Sequence, residues 1–166
     1  NFWFQTGDAF ARPELYVDWI EIEGPVFEAW PPASHINLLF ASKTRELNES
    51  EYAREVIAQF LPRAYRRPVT DAEIAEKHAI FARVSKAGSS FEDSIRAALT
   101  AALVSPNFLY LTEDQTGSSR ATATPLNAHQ LASRLSYFLW SSMPDAELMA
   151  LADNGQILKP NVLRRQ

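Results

Sequence analysis

From Asn48 onward, the hydrophobic residues of the chain recur three and four positions apart, which is the period of an amphipathic helix. The first such run has its apolar positions at Ala53, Val56, Ile57, Phe60, Leu61 and Ala64. Comparable runs follow it, and the pattern predicts helices at about residues 48–64, 70–87, 90–104, 126–141 and 143–154. The sequence therefore predicts a mainly α fold, arranged as a helical bundle-like array.

Helix-terminating residues support these limits. Thr70 stands three residues before Glu73, which predicts a capping box at the start of the second helix. Gly88 is expected to end that helix, because glycine adopts the left-handed backbone that follows many helices. Pro62 lacks a backbone N–H and crowds the preceding turn, so it is expected to kink or end the first helix.

The stretch LASRLSYFLWSSMPDAELMALADNG, residues 131–155, mixes serines, acids and large aromatic residues. Its periodicity predicts a helix, a corner and a second helix. The apolar face of the first of these helices is expected at Leu131, Leu135, Phe138 and Leu139. Trp140 is expected to anchor one helix on the other, and Ser142 is expected to cap the second. The serines are thus interpreted as caps and small packing residues.

Residues 1–30 have a different pattern, in which β-branched and aromatic residues alternate with polar ones. The segment ELYVDWIEIEGP predicts a strand that Gly24 and Pro25 end. Two strands alone are marginal in water, so this short N-terminal β element is expected to be the remnant or edge of a β-sandwich.

These patterns divide the chain into five predicted segments. They are a β element that ends a β-sandwich-like domain (1–30), a connector (31–47), a small helical domain (48–113), a polar loop (114–124) and the start of a second, truncated helical domain (125–166). Both ends of the sequence are expected to be cuts through larger structure.

Composition and charge argue against several classes of function. Apolar residues make up 46% of the chain and charged residues 22%, which is typical of a globular protein. The net charge of −4 argues against a nucleic-acid-binding protein, since such proteins usually have a basic face. No apolar run approaches the roughly 20 residues that a membrane span needs. Cysteine is absent, which excludes disulfides and covalent attachment of a c-type haem within these residues.

The N-terminal segment contains the candidate residues for a carbohydrate site. Exposed tryptophans can stack on sugar rings, and neighbouring carboxylates can bind calcium. The weak candidates for a carbohydrate site are Trp3, Trp19, Trp30, Glu21 and Glu23. The alternative is that the tryptophans pack a small β-layer and that the acids are solvated.

A basic cluster, RAYRRP, places Arg63, Arg66 and Arg67 around Tyr65. It could bind phosphate or carboxylate, since arginine presents a bidentate fork. The alternative is structural, because cations are favoured at a helix C-terminus and pair with acids on a neighbouring helix. The three histidines, His35, His78 and His129, form no ligand pair by spacing. No nucleophile elbow or phosphate-binding loop is present, so no catalytic, cofactor-binding or metal-ligating residue is assigned.

Two stretches resemble a known family. FLPRAYRRPVTDAEI (60–74), and SPNFLYLTED with residues 131–157, are similar to two modules of unknown function in planctomycete-type multidomain cytochrome c proteins. YVDWIEIEGP is similar to the end of a carbohydrate-binding-like β-sandwich in the same proteins. The resemblance implies export from the cytoplasm, c-type haem elsewhere in the parent protein, and a redox or polysaccharide-related role.

Three hypotheses follow. The first is a non-catalytic, haem-free linking segment of such a protein, whose partners are the other domains of the parent chain. The second is a carbohydrate-binding module that uses the N-terminal tryptophans and acids, with a polysaccharide as partner and calcium as an aid. The third is part of an enzyme whose site is completed by regions outside this sequence.

Overall fold

The computed structural model describes residues 18–22, 24, 26–111 and 125–166. The chain divides into two compact units, Asn1–Pro32 and Ala33–Gln166. The predicted β element falls mostly outside the described residues. Its described residues, 18–22, 24 and 26–30, form no strand.

The second unit is helical, which confirms the mainly α prediction. Its helices are α1 (Ala33–Leu38), α2 (Thr44–Leu47), α3 (Glu49–Tyr65), α4 (Asp71–Lys86), α5 (Phe91–Leu103), α6 (Pro106–Leu109), α7 (Ala128–Trp140), α8 (Ala146–Asp153), a 3₁₀ helix (Gln156–Leu158) and α9 (Pro160–Leu163). The five predicted helices are therefore found, each within a few residues of its expected limits. The predicted connector contains α1 and α2, which are too short to show a helical period. No helix in the described ranges is long and apolar enough to cross a bilayer.

Caps explain where the long helices start. The Thr70 hydroxyl accepts a hydrogen bond from the Glu73 N–H at 3.3 Å, and the Glu73 carboxylate accepts one from the Thr70 N–H at 2.8 Å. This confirms the predicted capping box of α4. Gly88 follows α4 with a φ of 92°, the left-handed backbone expected of it.

Two expected helix ends differ in the structure. Pro62 does not end α3, which continues to Tyr65, because a proline so close to the C-terminus disturbs only the last turns. The cap of α8 is Asp145 and not Ser142. The Asp145 carboxylate accepts the Leu148 N–H at 2.8 Å.

The larger core lies among α3, α4 and α5. Aromatic rings connect these helices: Tyr52 stacks on Phe91 with centroids 5.5 Å apart, and Phe91 meets Phe81 edge-on at 5.5 Å. The buried hydrophobic residues of this core are Leu39, Tyr52, Ala53, Val56, Ile57, Leu61, Ala64, Tyr65, Ile74, Phe81, Ile95, Ala98, Leu99 and Ala102. The apolar face predicted for the first long helix is thus largely the face that α3 buries.

A smaller core lies among α7, α8 and the 3₁₀ helix. Its buried residues are Ala132, Leu148, Ala152 and Ile157. Three predictions for α7 are wrong: Phe138 is 85% exposed, Leu139 is 52% exposed, and Trp140, the expected anchor, is 73% exposed. The cause is the extent of the smaller core, which along α7 includes Leu131 and Leu135 but not the last turn. The apolar face therefore continues beyond the elements that cover it in the described part of the chain.

Candidate functional site

Arg66 occupies the first position after α3, where the backbone turns left-handed with a φ of 57°. This conformation costs a residue with a side chain about 1–2 kcal/mol, whereas glycine adopts it freely. The side chain of Arg66 is nevertheless buried, at 6% exposure. This combination indicates that the contacts of the side chain, and not the backbone preference, favour arginine here.

The guanidinium of Arg66 reaches several main-chain carbonyls. It donates to the carbonyl oxygens of Asn107 at 3.3 Å, Phe108 at 3.0 Å and Tyr110 at 3.3 Å. It also lies over the Phe108 ring and, in α7, over the Tyr137 ring, at 5.9 and 5.8 Å from their centroids. We call this set of contacts the Arg66 clasp. It joins the end of α3, the segment around α6, and α7.

Arg67 points to a different partner. Its guanidinium donates to both carboxylate oxygens of Glu73, at 2.7 and 3.3 Å. This pairing, foremost, and the bonds from Thr70 lower the pKa of Glu73 to about 2. The ion pair holds the turn between α3 and α4 and is the helix-to-helix pairing that the structural interpretation of the basic cluster predicts.

A polar cleft of about 200 Å³ opens beside the clasp. It is lined by Tyr65, Arg66, Arg67, Pro68, Asn107, Tyr110, Leu111, Asn127, His129, Gln130, Ser133 and Arg134. Residues that precede position 112 and residues that follow position 124 therefore contribute to it. The charged groups of the cleft have protein partners, since His129 Nε2 lies 2.8 Å from Asp153 Oδ1 and Arg67 is held by Glu73.

The two remaining histidines are His78 and His35. His78 Nε2 lies 3.0 Å from the hydroxyl of Ser50 and 2.8 Å from the Ser50 carbonyl oxygen. A carbonyl only accepts, so this nitrogen carries the proton and donates, and it is then unable to act as a base toward the hydroxyl. His35 lies in α1. Within the described ranges, no group of three His, Cys, Asp or Glu residues could hold a metal ion.

The predicted carbohydrate candidates lie in the first unit. Trp19 and Trp30 are exposed, at 74% and 77%, and Glu21 is exposed as well. Trp3 and Glu23 lie outside the described residues. The Trp30 ring contacts Phe27, with centroids 5.6 Å apart.

The sequence did not indicate which arginine of RAYRRP would be buried. Arg66 is the buried arginine because α3 ends there in a left-handed turn. The carbonyls that accept its hydrogen bonds belong to residues more than 40 positions later. The one signal in the sequence is the absence of glycine after Tyr65, where a helix would commonly end with one.

Two regions of the chain match known family models. Residues 52–113 match the family model described as PSD5, a protein of unknown function (DUF1595). Residues 126–166 match the one described as PSD4, a protein of unknown function (DUF1592). Both are domains found in planctomycete-type cytochrome c proteins, which supports the predicted family at that coarse level. No curated protein and no solved structure matches the chain.

Proposed function

We propose that this chain is a non-catalytic, haem-free linking segment of an exported multidomain c-type cytochrome protein. Its role is to hold two helical modules, residues 52–113 and 126–166, in one fixed arrangement. The observation that carries this proposal is the Arg66 clasp, because one buried side chain contacts residues of both matched regions.

The energetics of the clasp support a holding role. Hydrogen bonds from a charged donor contribute about 1.5–3 kcal/mol each to stability, and a buried carbonyl that loses its donor costs about 1–3 kcal/mol. The two N–H groups of Arg66 Nη2 are shared among three carbonyls of the segment around α6. It also contributes a cation–π contact with Tyr137 of the other module. These terms together exceed the cost of the left-handed backbone at this position.

The parent protein is proposed from the matched families. Covalent c-type haem needs cysteines, and this chain has none, so the haem would be carried by other modules. The segment would then set the distance between those modules and a redox or polysaccharide-related partner domain. A haem assay on the isolated chain that gave one bound haem per chain would contradict this proposal.

The linking role is tested with Arg66→Gln, which shortens the side chain and removes the charge. We expect the free energy of unfolding to fall by about 2 kcal/mol, because the carbonyls lose their donor. Amide hydrogen exchange should become faster on both sides of the clasp, in residues 106–110 and in α7. Exchange that increases only in 106–110 would mean that Arg66 serves one module alone.

Arg63→Gln is the matched control. This arginine lies in the same last turn of α3 but is exposed, and it should leave both the unfolding free energy and the exchange of α7 unchanged.

A second candidate function is carbohydrate binding by the first unit, which the exposure of Trp19 and Trp30 favours. It is tested by pulldown on insoluble polysaccharides, with and without calcium. Trp19→Ala should reduce binding, while Trp140→Ala, which removes an equally exposed tryptophan from α7, should not. Equal retention of both variants, or no retention of the parent chain, excludes this function.

A further inference from the structure

The second unit contains an apolar pocket of about 380 Å³, on the side of α3 where Arg63 lies. It is lined by Ser34, Asn37, Leu38, Val56, Gln59, Phe60, Arg63, Ala64, Leu103, Phe108 and Met143. The lining comes from α1, α3, α5 and α6, and from the corner between α7 and α8. Its volume lies in the range of about 300–1,000 Å³ that is typical of small-molecule sites.

The floor of the pocket is fixed by the larger core. Val56 and Ala64 belong to that core, and Phe60 and Phe108 pack against it half-buried. Leu103, Leu38 and Met143 form the upper walls and remain partly exposed to solvent. A molecule in the pocket would remove these three side chains from water, at about 25 cal/mol for each Å² of apolar surface covered.

The rim of the pocket carries polar side chains that are exposed to solvent and therefore open to a ligand. Arg63, Gln59, Asn37 and Ser34 make no side-chain hydrogen bond or ion pair within the described part of the chain. Arg63 differs in this from Arg66 and Arg67, whose guanidiniums are held by carbonyls and by Glu73. A guanidinium without a carboxylate partner, next to amide groups and above an apolar floor, is complementary to an amphiphilic anion.

We propose that this apolar pocket binds a small amphiphilic carboxylate. The apolar body of the ligand lies on Phe60 and Phe108, and its carboxylate accepts hydrogen bonds from Arg63, with Gln59 and Asn37 beside it. The site shares Phe108 with the clasp, but its charged donor is Arg63 and not Arg66. Its function does not depend on the proposed linking role.

Sodium decanoate, below its micelle-forming concentration, is a suitable probe. Binding is followed by isothermal titration calorimetry and by the backbone amide chemical shifts of the labelled chain. We expect saturable binding, with the largest shifts in residues 34–38, 56–64 and 103–108. Decyltrimethylammonium, which has the same tail and the opposite charge, should bind at least about tenfold more weakly.

Two variants test the two parts of the site. Arg63→Gln should weaken decanoate binding by about tenfold, since it removes the charged donor at the rim. Leu103→Trp should abolish binding, because a larger side chain on the wall fills the pocket. Arg83→Gln, an exposed arginine in the last turn of α4, is the matched control and should bind as the parent chain does. Circular dichroism verifies that each variant is folded.

Several results would overturn the proposal. One is decanoate affinity that neither Arg63→Gln nor Leu103→Trp changes. Another is shifts concentrated at exposed apolar residues elsewhere, such as Phe138 and Trp140. A concentration-dependent dimer in analytical ultracentrifugation that protects residues 56–64 would show that a second copy of the chain occupies the pocket instead.

Discussion

Glu73 is the residue whose ionisation depends most clearly on its neighbours. Its carboxylate accepts hydrogen bonds from the Arg67 guanidinium, the Thr70 N–H and the Thr70 hydroxyl. The bond from Arg67 is the largest cause of a pKa lowered from 4.5 to about 2, and burial opposes it. Because the folded chain binds this proton less tightly than the unfolded chain, the ionised carboxylate stabilises the fold.

Glu73→Gln should therefore lower the free energy of unfolding at neutral pH by about 1 kcal/mol, a value reduced for the solvent screening of a partly exposed pair. The contribution of Glu73 is present above about pH 4.5 and is lost as the pH falls toward 2. The difference between the two chains should therefore shrink steadily from pH 4.5 downward and disappear only below about pH 2. Urea unfolding at a series of pH values measures this difference.

Glu92→Gln is the control for this prediction. Like Glu73, Glu92 lies in the first turn of a long helix, so it shares the helix-dipole effect but not the Arg67 pairing. A Glu92→Gln loss as large as that of Glu73→Gln would assign the effect to the helix dipole and not to the ion pair.

The side chains differ in how far the sequence predicts them. Thr70 and Glu73 were predictable because a capping box acts within four residues. Arg66 was not, since its acceptors lie more than 40 residues away and its backbone angle is set where α3 ends. Phe138 and Trp140 also show that the local sequence does not determine which side chains are buried. Their hydrophobic character indicates burial, but only the packing of α8 decides how much of α7 is covered.

Among the helices, α4 has residues at both of its ends that determine where it starts and stops. The capping box starts it, and Gly88, at a φ of 92°, follows its last residues. A Cβ built on Gly88 has no atom within 4 Å, so a side chain at this position meets no steric obstacle from the rest of the molecule. Any cost of a side chain there comes from the backbone conformation alone.

Gly88→Ala should therefore destabilise the chain by about 1–2 kcal/mol, because alanine is strained in the left-handed region. Thermal unfolding followed by far-ultraviolet circular dichroism measures this loss. Gly24→Ala serves as the comparison, since Gly24 is exposed and lacks a left-handed φ, and it should change the stability little. Similar losses in both variants would contradict a conformational origin.

Helix length explains which elements the sequence predicts. The helices α3, α4, α5 and α7 each contain at least three turns and a side-chain cap, so both their period and their start are visible. The helices α1 and α2 are too short for a period to appear. Tertiary bonds hold this region instead: the Tyr52 hydroxyl donates to the carbonyl of Phe40, which lies between α1 and α2, at 2.8 Å, and Glu55 accepts from Thr44 of α2 at 2.7 Å.

For the molecule as a whole, the two cores differ greatly in size. The larger core buries the apolar faces of α3, α4 and α5 against one another. The smaller core contains four buried hydrophobic residues within the described part of the chain. Hydrophobic periodicity predicts that such cores exist, since it marks the inward face of each helix. Periodicity does not predict the contacts between the elements that join the two cores. The Arg66 clasp and the apolar pocket both depend on such contacts.

The positions of the tryptophans have a consequence for spectroscopy. The three that the structure describes, Trp19, Trp30 and Trp140, all stand largely in water, while the larger core buries tyrosines and phenylalanines. Indole emission from these three residues will resemble that of free tryptophan before and after the core unfolds. Tyrosine absorbance and the near-ultraviolet signal of Tyr52, stacked on Phe91, therefore report the packed state where these three indoles do not.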